Sequence, residues 1–214
     1  MRPDTETPVA PAGPALVYRL IGYLTYVPAR LLFRMRWRGM EHVPAGGCVL
    51  APTHISNLDP WAVGLPLFPR RHLRFMAKAE LYRPLLGWIL RQGGAFRVRR
   101  GAGDVEAIET AVGLCREGHA VVVFPEGTRR RKGIVKRRTA RPHTGAARIA
   151  LTAVVPLVPV GISGTDRLAR LGPVRVVFGS PIPLDDLRDG DAHTAAELAT
   201  DRLMSAIRAL EEQA

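Results

Sequence analysis

Between residues 16 and 33 the chain reads LVYRLIGYLTYVPARLLF, and Leu16, Leu20, Leu24, Val27 and Leu31 recur at helical spacing. Val17, Ile21 and Leu32 flank that stripe, while Arg19, Tyr23, Tyr26 and Arg30 fall on another. Pro28 is expected to end one helix and open the next. The piece before it, from Pro14 to Val27, would be about 21 Å long. A bilayer core is about 30 Å thick, so this piece is too short to span one, and Arg19 would sit badly inside it. Two readings stay open. The stripe packs on the chain's own domain, or the helix lies in a membrane interface with Arg and Tyr at headgroup level.

After Gly39 the pattern alternates. Apolar runs at 49–51, 72–77, 95–98, 120–124, 154–162 and 174–178 read as strands. Helical patterns fill 60–68, 80–91, 104–117 and 144–153. Pro84 falls within the first turns of the second of these. Asp104 caps the third and Gly118 closes it. The last helix is expected to open on a capping box, Thr194 to Glu197, with Leu203, Ile207 and Leu210 on one face. AVVVF at 120–124 has no polar alternation, as expected of a strand buried on both faces. The prolines of VVPLVPVGI, residues 154–162, suit an edge or bulged strand better than a central one. The sum is an α/β fold: a single domain with a largely parallel, mixed sheet flanked by helices, residues 37–214. An amphipathic helical segment, 14–36, precedes it, and the proline-rich first 13 residues read as a disordered leader without an apolar signal core.

Composition narrows the partners. The chain has 214 residues and a formal net charge of +12, carried almost wholly by arginine, since only Lys78, Lys132 and Lys136 are lysines. Guanidinium forks suit phosphate and carboxylate oxygens. Aromatic residues make up only 6%, and no recognition helix, zinc motif or RNA-binding motif is present, which argues against nucleic acid. Cys48 and Cys115 are the only cysteines, with no CxxC pair, so neither a disulfide framework nor a structural zinc is expected.

Four stretches could carry chemistry. THISNLDP, residues 53–60, sets His54 and Asp59 five positions apart. Five residues of α-helix rotate by about 140° net, so the two cannot share a helix face. They can meet if His54 lies in a loop and Asp59 starts a helix. Asp59-Pro60 would also make an ordinary N-cap with proline at the first helical position. The catalytic alternative is a histidine base whose second nitrogen is held by a carboxylate. GGAFRVRRG, residues 93–101, ends a short strand in Arg99 and Arg100, of which one at most points at a given ligand. VVVFPEGTRR, residues 121–130, runs a buried strand into Glu126, Gly127, Thr128 and Arg129. An acceptor, a hydroxyl and a guanidinium thus meet at a strand's carboxyl end, where parallel sheets bind ligands. VVPLVPVGI offers a pocket wall or a purely structural strand.

HISNLD, GAFRVRR, FPEGTR and VPLVPVGI, in this order, resemble the four blocks of the glycerolipid acyltransferase family, which includes the 1-acylglycerol-3-phosphate (lysophosphatidic acid) acyltransferases. The resemblance runs from about Trp37 to Phe178. It implies that His54 is the base and Asp59 its orienting partner. It also implies that Arg100, Glu126, Gly127, Thr128 and Arg129 shape the site for a glycerol phosphate, with Lys78 and Arg99 behind them as candidates. The implied reaction moves a fatty acyl group from acyl-CoA or an acyl carrier protein to a lysophospholipid hydroxyl, without metal or redox cofactor. The acceptor would be 1-acylglycerol-3-phosphate, another lysophospholipid, or another hydroxylated or glycosylated lipid. The family's amino-terminal helices associate with membranes, which favours the interfacial reading of residues 14–36, on an anionic cytoplasmic membrane face. A protein of this fold that binds membrane lipid without catalysis is the reading from another class. Two departures stand out. Thr53 precedes the histidine where many members have asparagine, and Arg99 stands where an acidic residue is common. After FPEGTR the run RRRKGIVKRRTAR is expected to be a flexible, solvated loop.

Overall fold

The computed structural model describes residues 16–82, 84–98, 104–127, 131–132, 135–136 and 142–214. Chain order gives α1 (Leu16–Leu31), β1 (Arg36–Arg38), β2 (Cys48–Pro52), α2 (Asp59–Leu67), β3 (Leu73–Lys78), α3 (Pro84–Gln92) and β4 (Ala95–Val98). There follow α4 (Asp104–Arg116), β5 (Ala120–Val122), the short β6 (Arg131–Lys132) and β7 (Val135–Lys136), and α5 (Gly145–Ala153). β8 (Leu157–Ser163), β9 (Arg175–Phe178) and α6 (Ala192–Glu212) complete the chain. The disordered-leader reading and the first residues of the amphipathic segment lie outside the described residues.

Seven strands form one sheet in the order β1-β9-β8-β2-β5-β3-β4. Every pairing from β8 through β4 is parallel, β9 runs antiparallel to β8, and β1 is parallel to β9. The expected largely parallel, mixed sheet is the one formed. Side chains alternate across it because successive residues of a strand face opposite sides. Val49, Ala51, Val121 and Leu157 pack with α4, α5 and α6 on one face. Cys48, Leu50, Val122, Val158 and Val160 pack with α1 and α2 on the other. Burial on both faces explains the unbroken apolar runs of β2 and β5, whose residues are all buried.

Several local expectations give way to tertiary packing. Pro28 does not divide the first helix; α1 runs through it to Leu31. Proline costs a helix one hydrogen bond but its φ is helical, and here Ala29, wholly buried in the core, holds the last turn in place. Pro84 opens α3 rather than lying within it, since a short 3₁₀ turn at Ala79–Leu81 takes up the preceding residues. The cap of α6 is Asp191, whose carboxylate accepts from the backbone N–H and hydroxyl of Thr194. The helix therefore starts before the capping box that the sequence suggests. β8 is a central strand, not an edge, despite Pro159. Pro159 lies just past the last β8–β9 pair, Val160 with Phe178. Its carbonyl accepts from Gly179 N, and the bond it cannot return falls where β9 has already ended. Within the basic run after FPEGTR, Arg131 and Lys132 pair antiparallel with Lys136 and Val135 as β6 and β7, and the rest of the run lies outside the described residues.

The apolar stripe of α1 faces outward. Leu16, Leu20, Leu24, Val27 and Leu31 are between 55% and 82% exposed, whereas Gly22 and Ala29 are buried. The helix docks instead through its other side. Tyr18 and Tyr23 meet Phe68 edge-on, and Trp61 Nε1 donates to Thr25 Oγ1 at 3.0 Å. On α3, which touches α1, Leu85, Trp88 and Ile89 are also exposed at i, i+3 and i+4. No helix among the described residues is long and apolar enough to cross a membrane.

Candidate active site

Parallel strands put their carboxyl ends on one edge of the sheet, and the central pair there is β2 and β5. His54 lies in the six-residue loop, 53–58, that follows β2, and Asp59 opens α2. The loop closes on the carboxylate. Asp59 Oδ2 accepts from His54 Nδ1 at 2.9 Å and from the backbone N–H groups of Ile55 and Ser56, both at 2.7 Å. Oδ1 accepts from the hydroxyl of Thr165 at 2.6 Å. Four donors thus serve one carboxylate that is 0% exposed, and both of its oxygens are satisfied.

This geometry corrects the capping expectation. No side chain caps α2, and the position before the helix is Leu58. The Asp59 carboxylate turns back onto the loop that precedes it instead of forward onto the helix N–H groups. Pro60 does sit in the first turn, as expected. Asp59 therefore ties His54 and its loop together, and the i, i+5 pair meets because the chain folds back between them.

His54 is 18% exposed at its side chain. With Nδ1 donating to Asp59, the tautomer is fixed and Nε2 is the nitrogen left to exchange a proton with a substrate. One face of the imidazole lies on Phe124, with centroids 4.2 Å apart and planes tilted by 32°. Phe124 begins FPEG, two residues past the end of β5. The β2–β5 pairing continues past the strands through Val123 N to Leu50 O, 2.9 Å, which brings the FPEG turn beside the histidine.

That turn closes with Gly127 N donating to Phe124 O at 3.0 Å. Gly127 has φ of 62°, and a Cβ there would stand 2.5 Å from the His143 ring, so both backbone and space call for glycine. Glu126 is buried on the same turn, at 4% exposure. His54, Asp59, Glu126 and Gly127 are thus gathered on one edge, as the motifs implied. Arg99, Arg100, Thr128 and Arg129 lie outside the described residues, as does the side chain of Lys78, at the end of β3. The residues that sequence reasoning missed are Phe124, Thr165 and His143. A hydroxyl directly after a long strand, in SGTD, was the one available signal for Thr165.

Neither cysteine offers a nucleophile. Burial pushes the Cys48 thiol up to about 11, against the opposing Arg71, and burial with Cys48 nearby pushes Cys115 up to about 12. The arrangement is a histidine base, oriented by a carboxylate, with an exposed nitrogen at the sheet edge. Such a site suits proton abstraction from a substrate hydroxyl.

Comparison with known proteins supplies the family and the fold. The family profile described as Acyltransferase matches residues 34–163. The chain is 30% identical over 178 residues to the 1-acyl-sn-glycerol-3-phosphate acyltransferase of Bacillus subtilis (strain 168), covering 81% of this chain and 86% of that one. It is 31% identical over 155 residues to the probable 1-acyl-sn-glycerol-3-phosphate acyltransferase of Mycoplasma pneumoniae, covering 70% of this chain and 55% of that protein. The fold matches the crystal structure of the 1-acyl-sn-glycerophosphate (LPA) acyltransferase PlsC from Thermotoga maritima. The TM-score is 0.61 at 22% identity, over 91% of this chain and 81% of that one. With the matched region spanning every strand from β2 to β8 and the whole His54–Asp59 loop, the chain belongs to the acyltransferase family and is an enzyme of that class.

Proposed function

We propose that this enzyme transfers a fatty acyl group from an acyl thioester to the free hydroxyl of 1-acylglycerol-3-phosphate, giving phosphatidic acid, with His54 as general base. The observation that carries the reading is the 2.9 Å bond from His54 Nδ1 to the buried Asp59, which leaves Nε2 open at the sheet edge. The names of the Bacillus and Mycoplasma relatives support the acceptor.

In this mechanism His54 Nε2 takes the proton of the acceptor hydroxyl as its oxygen attacks the thioester carbonyl. The carbon–oxygen bond forms and the carbonyl π pair moves to oxygen. Collapse of that tetrahedral species breaks the carbon–sulfur bond. The proton held by His54 passes to the leaving thiolate, so the base is regenerated and the thiol of CoA or the carrier protein is released. Asp59 stabilises the imidazolium that exists between these steps. Arg100 and Arg129 hold the acceptor phosphate by charge-assisted hydrogen bonds. Glu126, Gly127 and Thr128 shape that end of the site, and Lys78 and Arg99 are further candidates for phosphate contact.

The test is an assay of purified protein with a panel of lysophospholipids and with both acyl-CoA and acyl carrier protein donors, products being identified by mass spectrometry. Phosphatidic acid from 1-acylglycerol-3-phosphate is the expected main product. Faster acylation of a different lysophospholipid, or of a hydroxylated or glycosylated lipid, would replace the acceptor. Thioester turnover with none of them would overturn the reading.

The enzyme meets its lipid substrate at an anionic membrane surface, on the cytoplasmic face, with α1 lying in the interface. The outward stripe of α1 supports this, as do the exposed Trp88 and Leu85 of α3, because exposed apolar side chains together with the exposed Arg19 and Arg30 suit a headgroup layer. Changing Leu20, Leu24 and Leu31 together to serine is expected to weaken co-sedimentation with phosphatidylglycerol vesicles by about tenfold or more, since each leucine buried in the interface contributes on the order of 1 kcal/mol. Unchanged co-sedimentation would show that arginine charge alone holds the protein there.

A further inference from the structure

We infer that Thr165 is a positioning residue for the acyl transfer: its hydroxyl fixes the Asp59 carboxylate against the sheet, and through it the ring of His54. The inference rests on the reading of His54 as base.

Of the four donors to Asp59, three lie on the loop that the aspartate itself closes, at His54, Ile55 and Ser56. Those three can move with the loop as one body. Among the described residues, Thr165 is the only donor from a distant part of the chain, 106 residues away, and the only one on Oδ1. Its O–H···O distance of 2.6 Å falls in the short range of bonds to ionised acceptors. Thr165 is 2% exposed, so the bond is shielded from bulk solvent.

The placement of Thr165 is built into the sheet. β8 pairs with β2 as far as Val160 opposite Pro52, then runs on to Ser163 beyond the end of β2. Gly164 turns the chain there with φ of 83°, and a Cβ at this position would stand 2.0 Å from Pro173 O. The bend that aims Thr165 at Asp59 is thus fixed by backbone on both sides. The same strand also holds the other end of the loop. Thr53 N donates to Val160 O at 3.0 Å, so the residue before His54 is an extra rung of the β2–β8 ladder. β8 therefore references both partners, His54 through Thr53 and Asp59 through Thr165. Without the Thr165 hydroxyl, the His54–Asp59 pair keeps its internal bond but loses one of its two ties to the sheet.

The experiment compares Thr165→Val, Thr165→Ser and His54→Ala with the unchanged enzyme, in the same thioester-release assay, with melting temperatures for all. Thr165→Val should lower kcat by about 10–100-fold, the range seen when a partner that orients a functional histidine is removed, with KM for donor and acceptor within about threefold. Thr165→Ser, which restores the hydroxyl, should recover most of the turnover. The downfield proton resonance of His54 Nδ1–H should move in the valine variant and return in the serine variant. If valine prevents folding, Thr165→Ala removes the hydroxyl without adding bulk and carries the same expectation. Full kcat in the valine or alanine variant, or a loss confined to KM, overturns the inference while an inactive His54→Ala leaves the base assignment standing. An active His54→Ala overturns that assignment and this inference with it.

Discussion

His54→Ala is expected to lower kcat by about 10²–10⁴-fold, the contribution typical of a positioned general base. The fold should survive it. Among the described residues, His54 makes one side-chain hydrogen bond and one ring contact, to Asp59 and Phe124. Asp59 Oδ2 would keep the Ile55 and Ser56 N–H groups, and Oδ1 would keep Thr165. The buried carboxylate therefore stays satisfied, and the stability cost is that of one hydrogen bond, about 1 kcal/mol. Vesicle co-sedimentation should be unchanged because α1 is untouched. Wild-type turnover in a folded, membrane-binding His54→Ala protein would remove histidine from the mechanism.

The second large effect is expected at Asp59→Asn, with a kcat loss again of about 10²–10⁴-fold, because the imidazolium loses the negative charge beside it. Asparagine is the informative substitution. Its carbonyl oxygen can take the place of Oδ2 toward His54, Ile55 and Ser56. Its amide can donate to Thr165, since a hydroxyl accepts as readily as it donates. The geometry is thus retained and only the charge removed, at a stability cost of about 1–3 kcal/mol. Alanine would leave two backbone N–H groups and a hydroxyl buried without partners, and would confound folding with catalysis. A folded Asp59→Asn protein with full turnover would reduce Asp59 to a loop tie.

The structure changes what this variant tests. From sequence, Asp59 stood between a helix cap and a catalytic partner. Its carboxylate caps nothing in α2. The rival to catalysis is instead the closure of the His54 loop, and asparagine separates the two because it can close the loop without carrying charge.

Much of the fold was legible because strands and helices leave local periods. The unbroken apolar run at β5 announced a strand buried on both faces, and Gly118, at φ of 89°, ended α4 as its glycine suggested. The points that were not legible share one cause. Pro28 within α1, Pro159 within a central strand and the Asp191 cap each depend on what lies beside them in space, and a local rule about proline or capping boxes carries no such information. The site divides the same way. His54, Asp59 and FPEG could be picked out because their residue types and order are distinctive. That Phe124 lies beneath the imidazole and Thr165 on the carboxylate was not legible, since each meets the histidine loop through strand neighbours far away in sequence.

By itself, then, the amino-acid order determined the α/β class, the positions of most elements and the histidine–aspartate pair with its acyltransferase resemblance. These are set by periodicity and by side-chain chemistry, which are local. Tertiary structure alone decided that β2 lies between β5 and β8. That order places FPEG on one side of His54 and Thr165 on the other. It also decided that the leucine stripe of α1 faces away from the domain. An amphipathic helix has an apolar face wherever it sits. Here the sheet is already covered by the opposite side of α1, through Gly22, Ala29 and the aromatic contacts to Phe68, and that packing leaves the leucines outward.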